Sequence, residues 1–334
     1  MQSPSTSAPP PPSVESRDLF EHSIPWTESP CFASLLEKAH LSDAEKDMLR
    51  SYARDGYIVL DFPAPDIDAV ATEVSRLFAV TNLETRLQRR IQDAWKTCPL
   101  VRSVASNSGI LDLLRLLYRR DPIPFQTLNF PVGTQQSTHS DTLHFHSVPH
   151  RFMCGVWLAL EDIDAENGPL HIYPGSHRLP VWNMHDLGLP SGQEQYAAYE
   201  AALRALIQEL GLQKKQVLLK KGQVLIWAAN LLHGGEPILD VHRTRLSQVT
   251  HYFFSDCLYY TPMLSDPFLG NVAYRQITNI LTGQRVPNMY HGVKIDAEAI
   301  RDLPPSVSMM SGSPSKRSPF LVRTLRRLRA HLIE

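Results

Sequence analysis

The feature that most restricts how this chain can fold is a series of short apolar segments between Phe125 and Tyr260, separated by turn residues rather than by helices. Phe152 to Leu160 reads Phe-Met-Cys-Gly-Val-Trp-Leu-Ala-Leu. A short continuous apolar run of this kind predicts a strand buried on both faces. Phe125 to Phe130 and Leu246 to Phe254 predict two more. Gln216 to Leu219 and Gln223 to Trp227 flank a Lys221-Gly222 turn, and Asn167-Gly168 has the composition of a tight hairpin loop. One helix interrupts the series, over Glu194 to Leu210, stopped by Gly211. Strands joined by turns, without a helix between each pair, predict an antiparallel sandwich or barrel rather than a doubly wound parallel sheet.

Helices are expected ahead of these strands. Ser42 followed three residues later by Glu45 has the spacing of a capping box, and Leu49, Tyr52 and Ala53 continue an apolar face until Gly56. Tyr57 to Leu60 is a short strand. Ile67, Val70, Ala71, Val74, Leu77 and Phe78 recur at helical spacing, and Ile110 to Tyr118 predicts a further helix. Residues 1–14 form a Pro-rich lead-in without the apolar stretch of a secretory signal. Residues 15–260 would form the folded domain. Residues 261–334 form an extension in which Ser306 to Pro319 is a flexible joint and Pro319 to Ile333 a basic amphipathic helix.

Composition excludes several classes. A net charge of −1 provides no global field to attract nucleic acid or an anionic membrane. No apolar run approaches the length that spans a bilayer. The four cysteines, Cys31, Cys98, Cys154 and Cys257, form no Cys-x-x-Cys pair, which is the usage of a reduced compartment. A cytoplasmic protein acting on a small molecule is the default expectation.

The chemistry begins at His139-Ser140-Asp141. Residues two apart on a strand point to the same side, so one imidazole and one carboxylate can face a single ion. His233 follows the apolar segment Gln223 to Trp227 and precedes Gly234-Gly235, where backbone can approach a cofactor. Two imidazoles and one carboxylate leave the opposite coordination positions open, which suits non-haem Fe(II) oxygenases. Zinc hydrolases use the same donor types, so the trio alone leaves the metal open. Arg245 and Ser247 share a face if their segment is a strand beside His233. A guanidinium and a hydroxyl could then grip the far carboxylate of 2-oxoglutarate. Arg243 has the same parity and stays a rival. His144 and His146 fall on the side opposite His139 and Asp141 if the strand is regular, and a bulge would bring His144 to the substrate. His177 closes a turn and is structural.

These residues together resemble the phytanoyl-CoA dioxygenase family. The resemblance runs from Leu41-Ser-Asp-Ala-Glu and Asp55-Gly-Tyr-Ile-Val-Leu through His139-Ser-Asp141, Val156-Trp-Leu-Ala-Leu-Glu-Asp, Asn167-Gly-Pro-Leu, Pro174-Gly-Ser-His, and His233-Gly-Gly to Arg245 with His251-Tyr252. It implies a double-stranded β-helix, a cupin-like jelly roll with flanking helices. It implies Fe(II) as cofactor, held by His139, Asp141 and His233, with 2-oxoglutarate and O2 as cosubstrates. It favours Arg245 over Arg243 as the carboxylate clamp, because the family's arginine stands six residues before a His-aromatic pair. It places Trp157, a core residue on pattern alone, beside 2-oxoglutarate. Gly235 stands where the family carries Ser or Thr, so one cosubstrate bond is missing or supplied elsewhere.

The implied reaction is hydroxylation of an unactivated C–H bond in a small-molecule or acyl-type substrate, with release of succinate and CO2. The same centre could end in desaturation, cyclisation or epimerisation. Asp141 fills the position that a halogenase gives to chloride. Two other classes are a non-catalytic jelly-roll binding protein, against which the intact trio speaks, and a zinc hydrolase, which has no need of Arg245. Trp182 to Gly192 and the helix behind it, or the segment after Thr261, could cover the mouth of the site.

Overall fold

A computed structural model describes residues 23–63, 66–80, 90–290 and 292–295. The expectations for the Pro-rich start, the joint over Ser306 to Pro319 and the terminal basic helix lie outside the described residues.

The local signals produce the predicted elements. Ser42 caps the helix Asp43–Asp55 with a complete capping box: its Oγ accepts from the Glu45 amide, and the Glu45 carboxylate accepts from the Ser42 amide at 2.8 Å. Gly56 ends that helix at φ 79°, and a Cβ there would collide with the His177 ring. His177 packs on this glycine with Nε2 3.2 Å from the Ala53 carbonyl, a structural role. Strand β1 (Tyr57–Asp61) follows, then helix Ile67–Val80, β2 (Ile91–Gln92), helices Pro99–Ala105 and Ser108–Tyr118, and β3 (Pro122–Phe130). Helix Pro99–Ala105 escaped the sequence reading.

The strand-rich part holds β4 (His146–Val148), β5 (Met153–Ala159), β6 (Leu170–Ile172), helix Tyr196–Glu209, β7 (Lys215–Val217), β8 (Gln223–Ala228), β9 (His233–Gly235), β10 (Ser247–Phe254) and β11 (Leu258–Tyr260). The larger sheet runs β1-β8-β5-β10-β3-β2, and a smaller one runs β7-β6-β9; their neighbours pair antiparallel. The architecture is mainly β with flanking helices.

Alternation across the larger sheet explains its continuous apolar segments. Val156, Leu158, Val224 and Ile226 pack against helix residues including Leu49, Val74 and Leu114. Trp157, Ala159, Leu225 and Trp227 turn the other way, toward Ile172, Val217 and Leu219. Both faces leave water, so neither position of the two-residue repeat needs to be polar.

One turn expectation is corrected, and the Lys221-Gly222 turn is found where expected. Asn167-Gly168 joins β5 to β6, which lie in different sheets, and so forms no hairpin. Its Asn167 amide donates to the Asp162 and Thr244 carbonyls, and its Oδ1 accepts from the Asp164 amide. The side chain ties two loops together. Lys221-Gly222 likewise carries the chain from β7 in one sheet to β8 in the other. Turn chemistry reports a reversal of direction; which strands then pair is decided by the sheets.

The extension after residue 260 is described over residues 261–290 and 292–295. It packs Ile277 into the main core and buries Ile280 completely. All four cysteines are free, and Cys98, Cys154 and Cys257 are buried. Among the described residues no helix is long and apolar enough to cross a membrane.

Candidate metal and cosubstrate site

His139 and His233 meet through the backbone. Their segments form an isolated antiparallel bridge, with His139 N to His233 O at 2.9 Å and the reciprocal bond at 3.0 Å. Asp141 is not on a strand with His139, as the two-residue spacing suggested. It opens a 3-10 turn over Asp141–Leu143, capped by the Ser140 side chain. The turn still brings the carboxylate to the imidazoles: His139 Nε2 lies 3.8 Å from Asp141 Oδ1 and His233 Nε2 3.9 Å from Oδ2. One ligand atom from each residue lies within 4.8 Å of the others, and all three residues are buried.

The environment suits a divalent cation. Each imidazole pairs Nδ1 with a backbone carbonyl two residues earlier, His139 with Ser137 and His233 with Leu231, both at 2.9 Å. Nδ1 therefore carries the proton and Nε2 offers a lone pair. Burial, with His233 adding to it, pulls His139 down to about 4, and burial also lowers His233, so both rings are neutral at pH 7. Burial works against an ionised Asp141. The neighbouring His233, His251 and His139 and the Trp227 bond outweigh it and hold the carboxyl below its ordinary value. Trp227 Nε1 donates to Asp141 Oδ2 at 2.9 Å.

The trio opens into a cavity between the two sheets, lined on one side by Trp157, Trp227, Arg245 and Val249 and on the other by Leu170 and Gly234. Arg245 precedes β10, which lies between β3 and β5 in the larger sheet. This corrects the expectation that its strand sits beside His233, which belongs to the smaller sheet. Arg245 is 1% exposed. Its Nη2 makes one long bond, 3.4 Å to the Val132 carbonyl, while buried Nε and Nη1 have no partner among the described residues. Burial pulls its pKa down to about 10, leaving it charged at neutral pH. The guanidinium lies 5.1 Å from the Trp157 ring. Ser247 is fully buried with its Oγ also lacking a partner. Arg243 is instead engaged outside the cavity, bonding both Asp164 carboxylate oxygens at 2.8 Å.

His144 reaches the cavity because the 3-10 turn breaks strand alternation; its ring centroid is 6.3 Å from that of His139 and 5.4 Å from that of Tyr196. The helix Tyr196–Glu209 packs Tyr199 and Leu203 against Leu143. Gly235 leaves room for Thr134, whose Oγ1 would lie 2.8 Å from a Cβ at 235 and which lines the cavity. The segment expected to cover the mouth after Thr261 lines the cavity with Thr261, Met263, Leu264 and Arg275, whereas Arg90 and the Trp227 bond to Asp141 were not anticipated. Nothing in the local sequence marks them.

Two imidazoles, a carboxylate and a buried cation facing one cavity define the class of non-haem iron oxygenases that bind a keto-acid cosubstrate. The family model for phytanoyl-CoA dioxygenase matches residues 52–240. The chain belongs to the phytanoyl-CoA dioxygenase family, and is an Fe(II)- and 2-oxoglutarate-dependent dioxygenase. The matched stretch contains His139, Asp141 and His233 and stops short of Arg245. The ectoine dioxygenase of Sphingopyxis alaskensis is 26% identical over 209 residues, which is 55% of this chain and 68% of that protein. Phytanoyl-CoA dioxygenase domain-containing protein 1 of mouse is 31% identical over 87 residues, 25% of this chain and only 30% of its own length. A solved structure of EctD from S. alaskensis with bound Fe superposes with a TM-score of 0.51 at 22% identity, covering 65% of this chain and 78% of that one. At that identity the likeness is one of fold.

The Trp227 bond carries a prediction. Trp227→Phe keeps most of the ring and removes the donor to Asp141. Partners that orient metal ligands are worth about 10–100-fold in metal affinity. Fe(II) titration under anaerobic conditions should show a loss in that range with the melting temperature little changed. Unaltered affinity would mean that Asp141 is oriented by its turn alone.

Proposed function

We propose that His139, Asp141 and His233 hold Fe(II), that Arg245 binds the far carboxylate of 2-oxoglutarate beside Trp157, and that the protein hydroxylates a small-molecule substrate. The observation that carries this reading is the buried Arg245 guanidinium. An unpaired buried cation is destabilising unless an anion completes it, and this one faces the cavity that holds the three metal-ligand side chains. A zinc hydrolase would have no use for it. The two sheets enclosing the cavity support reading the fold as a double-stranded β-helix.

When bound, the iron supplies, with 2-oxoglutarate and O2, the oxidising power that breaks a substrate C–H bond and releases succinate and CO2. The chain's own residues do the positioning. The two Nδ1–H···O=C bonds and the Trp227 bond aim three donors at one point. Arg245 fixes one end of the cosubstrate by a charge-assisted pair, and the Ser247 hydroxyl can add a second bond. Thr134 offers the hydroxyl that Gly235 lacks. His144, neutral because burial pulls it down to about 3, faces the substrate side as a hydrogen-bonding group rather than an acid.

The test is spectroscopic and chemical. Adding 2-oxoglutarate to the anaerobic Fe(II)-loaded protein should produce the visible charge-transfer absorption of a chelated keto acid. Admitting O2 should then release succinate slowly without substrate. Absence of both would defeat the reading. With a substrate in hand, gain of one oxygen atom in the product separates hydroxylation from desaturation, cyclisation and epimerisation.

A further inference from the structure

We propose that Arg275 and Arg90 form a second anion site in the cavity, so that the substrate carries a carboxylate or phosphate group on an apolar body. The proposal rests on the reading of His139, Asp141 and His233 as the reacting centre.

The two arginines come from distant parts of the chain, one just before β2 and one after β11, and both line the cavity. Arg275 is held firmly. Its Nη1 donates to Thr261 Oγ1 at 2.8 Å and to the His144 carbonyl at 3.3 Å, and its guanidinium stands 4.6 Å from the Phe145 ring. These partners are neutral. No carboxylate among the described residues forms an ion pair with Arg275 or Arg90, and the influence of Asp93 on Arg275 acts from a distance. Burial pulls Arg275 down to about 10, so it remains cationic at neutral pH, and burial also lowers Arg90, a guanidinium that does not lose its proton in proteins. Two half-buried positive charges facing one cavity favour an anionic occupant, and a planar guanidinium suits carboxylate or phosphate oxygens.

Position separates Arg275 from the cosubstrate clamp. Trp227, Gly155, His251 and Gln126 form one row across the larger sheet. Trp227 bonds Asp141, so the metal-ligand cluster stands over that row. Arg275 reaches the same region, since it bonds the His144 carbonyl and stands over Phe145, whose ring centroid lies 5.0 Å from that of His251, and Arg90 lines the same cavity. Arg245 lies toward the other end of β10, about 20 Å from His251 along the backbone at about 3.3 Å per residue. Arg245 and Arg275 therefore meet the cavity at different places, while Arg90, one residue before the Ile91–Asn129–Gln248 row, enters from the edge of the larger sheet. The cavity wall also includes Phe145, Met263 and Leu264, which suits an apolar substrate body.

The experiment titrates the anaerobic protein, loaded with Fe(II) and 2-oxoglutarate, with hexanoate, hexyl phosphate and hexanamide. Tryptophan fluorescence reports binding, because Trp157 and Trp227 line the cavity. At least one anion should bind about ten-fold or more tightly than the amide, and the preferred anion distinguishes carboxylate from phosphate. Arg275→Gln and Arg90→Gln should each reduce anion affinity about ten-fold and leave the amide unchanged, while Arg275→Lys should retain part of it. Equal binding of anions and amide, or no binding of either anion, overturns the proposal without recourse to variants. So does a loss of 2-oxoglutarate affinity matching the loss for the anion, which would make these arginines a second cosubstrate contact. Failure of the wild-type protein to release succinate from 2-oxoglutarate would count against the reacting centre itself, and is read separately.

Discussion

His139→Ala, Asp141→Ala and His233→Ala should each reduce bound Fe(II) from one per chain to a small fraction and abolish turnover. If the site gains on the order of 10 kcal/mol from its ligands together, as structural zinc sites do, removing one of three should weaken binding by roughly a few hundred-fold. The fold should survive. The cluster sits in a cavity between two sheets whose cores do not depend on it, and the main core packs against helices on the far face of the larger sheet. Iron analysis after gel filtration, with circular dichroism on the same samples, measures both. The Asp141 variant should also free the Trp227 N–H, which then has no carboxylate to meet. Full activity and full iron in the His139→Ala protein would remove that residue from the centre.

Arg245→Ala should raise the 2-oxoglutarate requirement by about 10–150-fold, the range of a charged hydrogen-bonding group worth about 1.5–3 kcal/mol. Arg243→Ala should change it little, because Arg243 is already paired with Asp164 at the surface. Stability gives an independent readout. In the apo protein the Arg245 cation is buried with two nitrogens unpartnered, so replacing it should not lower the melting temperature and can raise it. Added 2-oxoglutarate should stabilise the Fe(II)-loaded wild type by about 2.7 kcal/mol at 100 times its Kd. At the same concentration the Arg245→Ala protein should gain far less. A larger effect from Arg243→Ala in either assay would move the clamp and mean that the Arg245 side chain serves packing alone.

Much of the molecule was legible without coordinates because the signals are local. A capping box is satisfied within four consecutive residues, so Ser42 and Glu45 announce a helix start wherever that helix packs. A strand buried on both faces can write itself as a continuous apolar run, as β5 does, whereas β10 is equally buried but carries Ser247, Gln248, Thr250 and His251. The metal residues were legible for a different reason. His139-Ser-Asp141 and His233 are rare residue types beside recognisable neighbours, and the family match covers all three.

The sequence by itself determined the helix starts, the buried strands and the three metal-ligand candidates, because each depends on side chains close in the chain or on a family pattern. Tertiary structure alone decided the rest. It assigned Asn167-Gly168 and Lys221-Gly222 to crossings between sheets, since pairing depends on which strands meet and not on the turn between them. It placed Arg245 with buried, unpartnered nitrogens and Arg243 against Asp164, although the two share strand parity. It turned His144 into the cavity through a 3-10 turn that alternation did not anticipate. It also brought Arg90 and Arg275 to one cavity from positions 185 residues apart in the numbering. A side chain's type is fixed by its codon, but its electrostatic partner is fixed by whatever segment the fold packs against it.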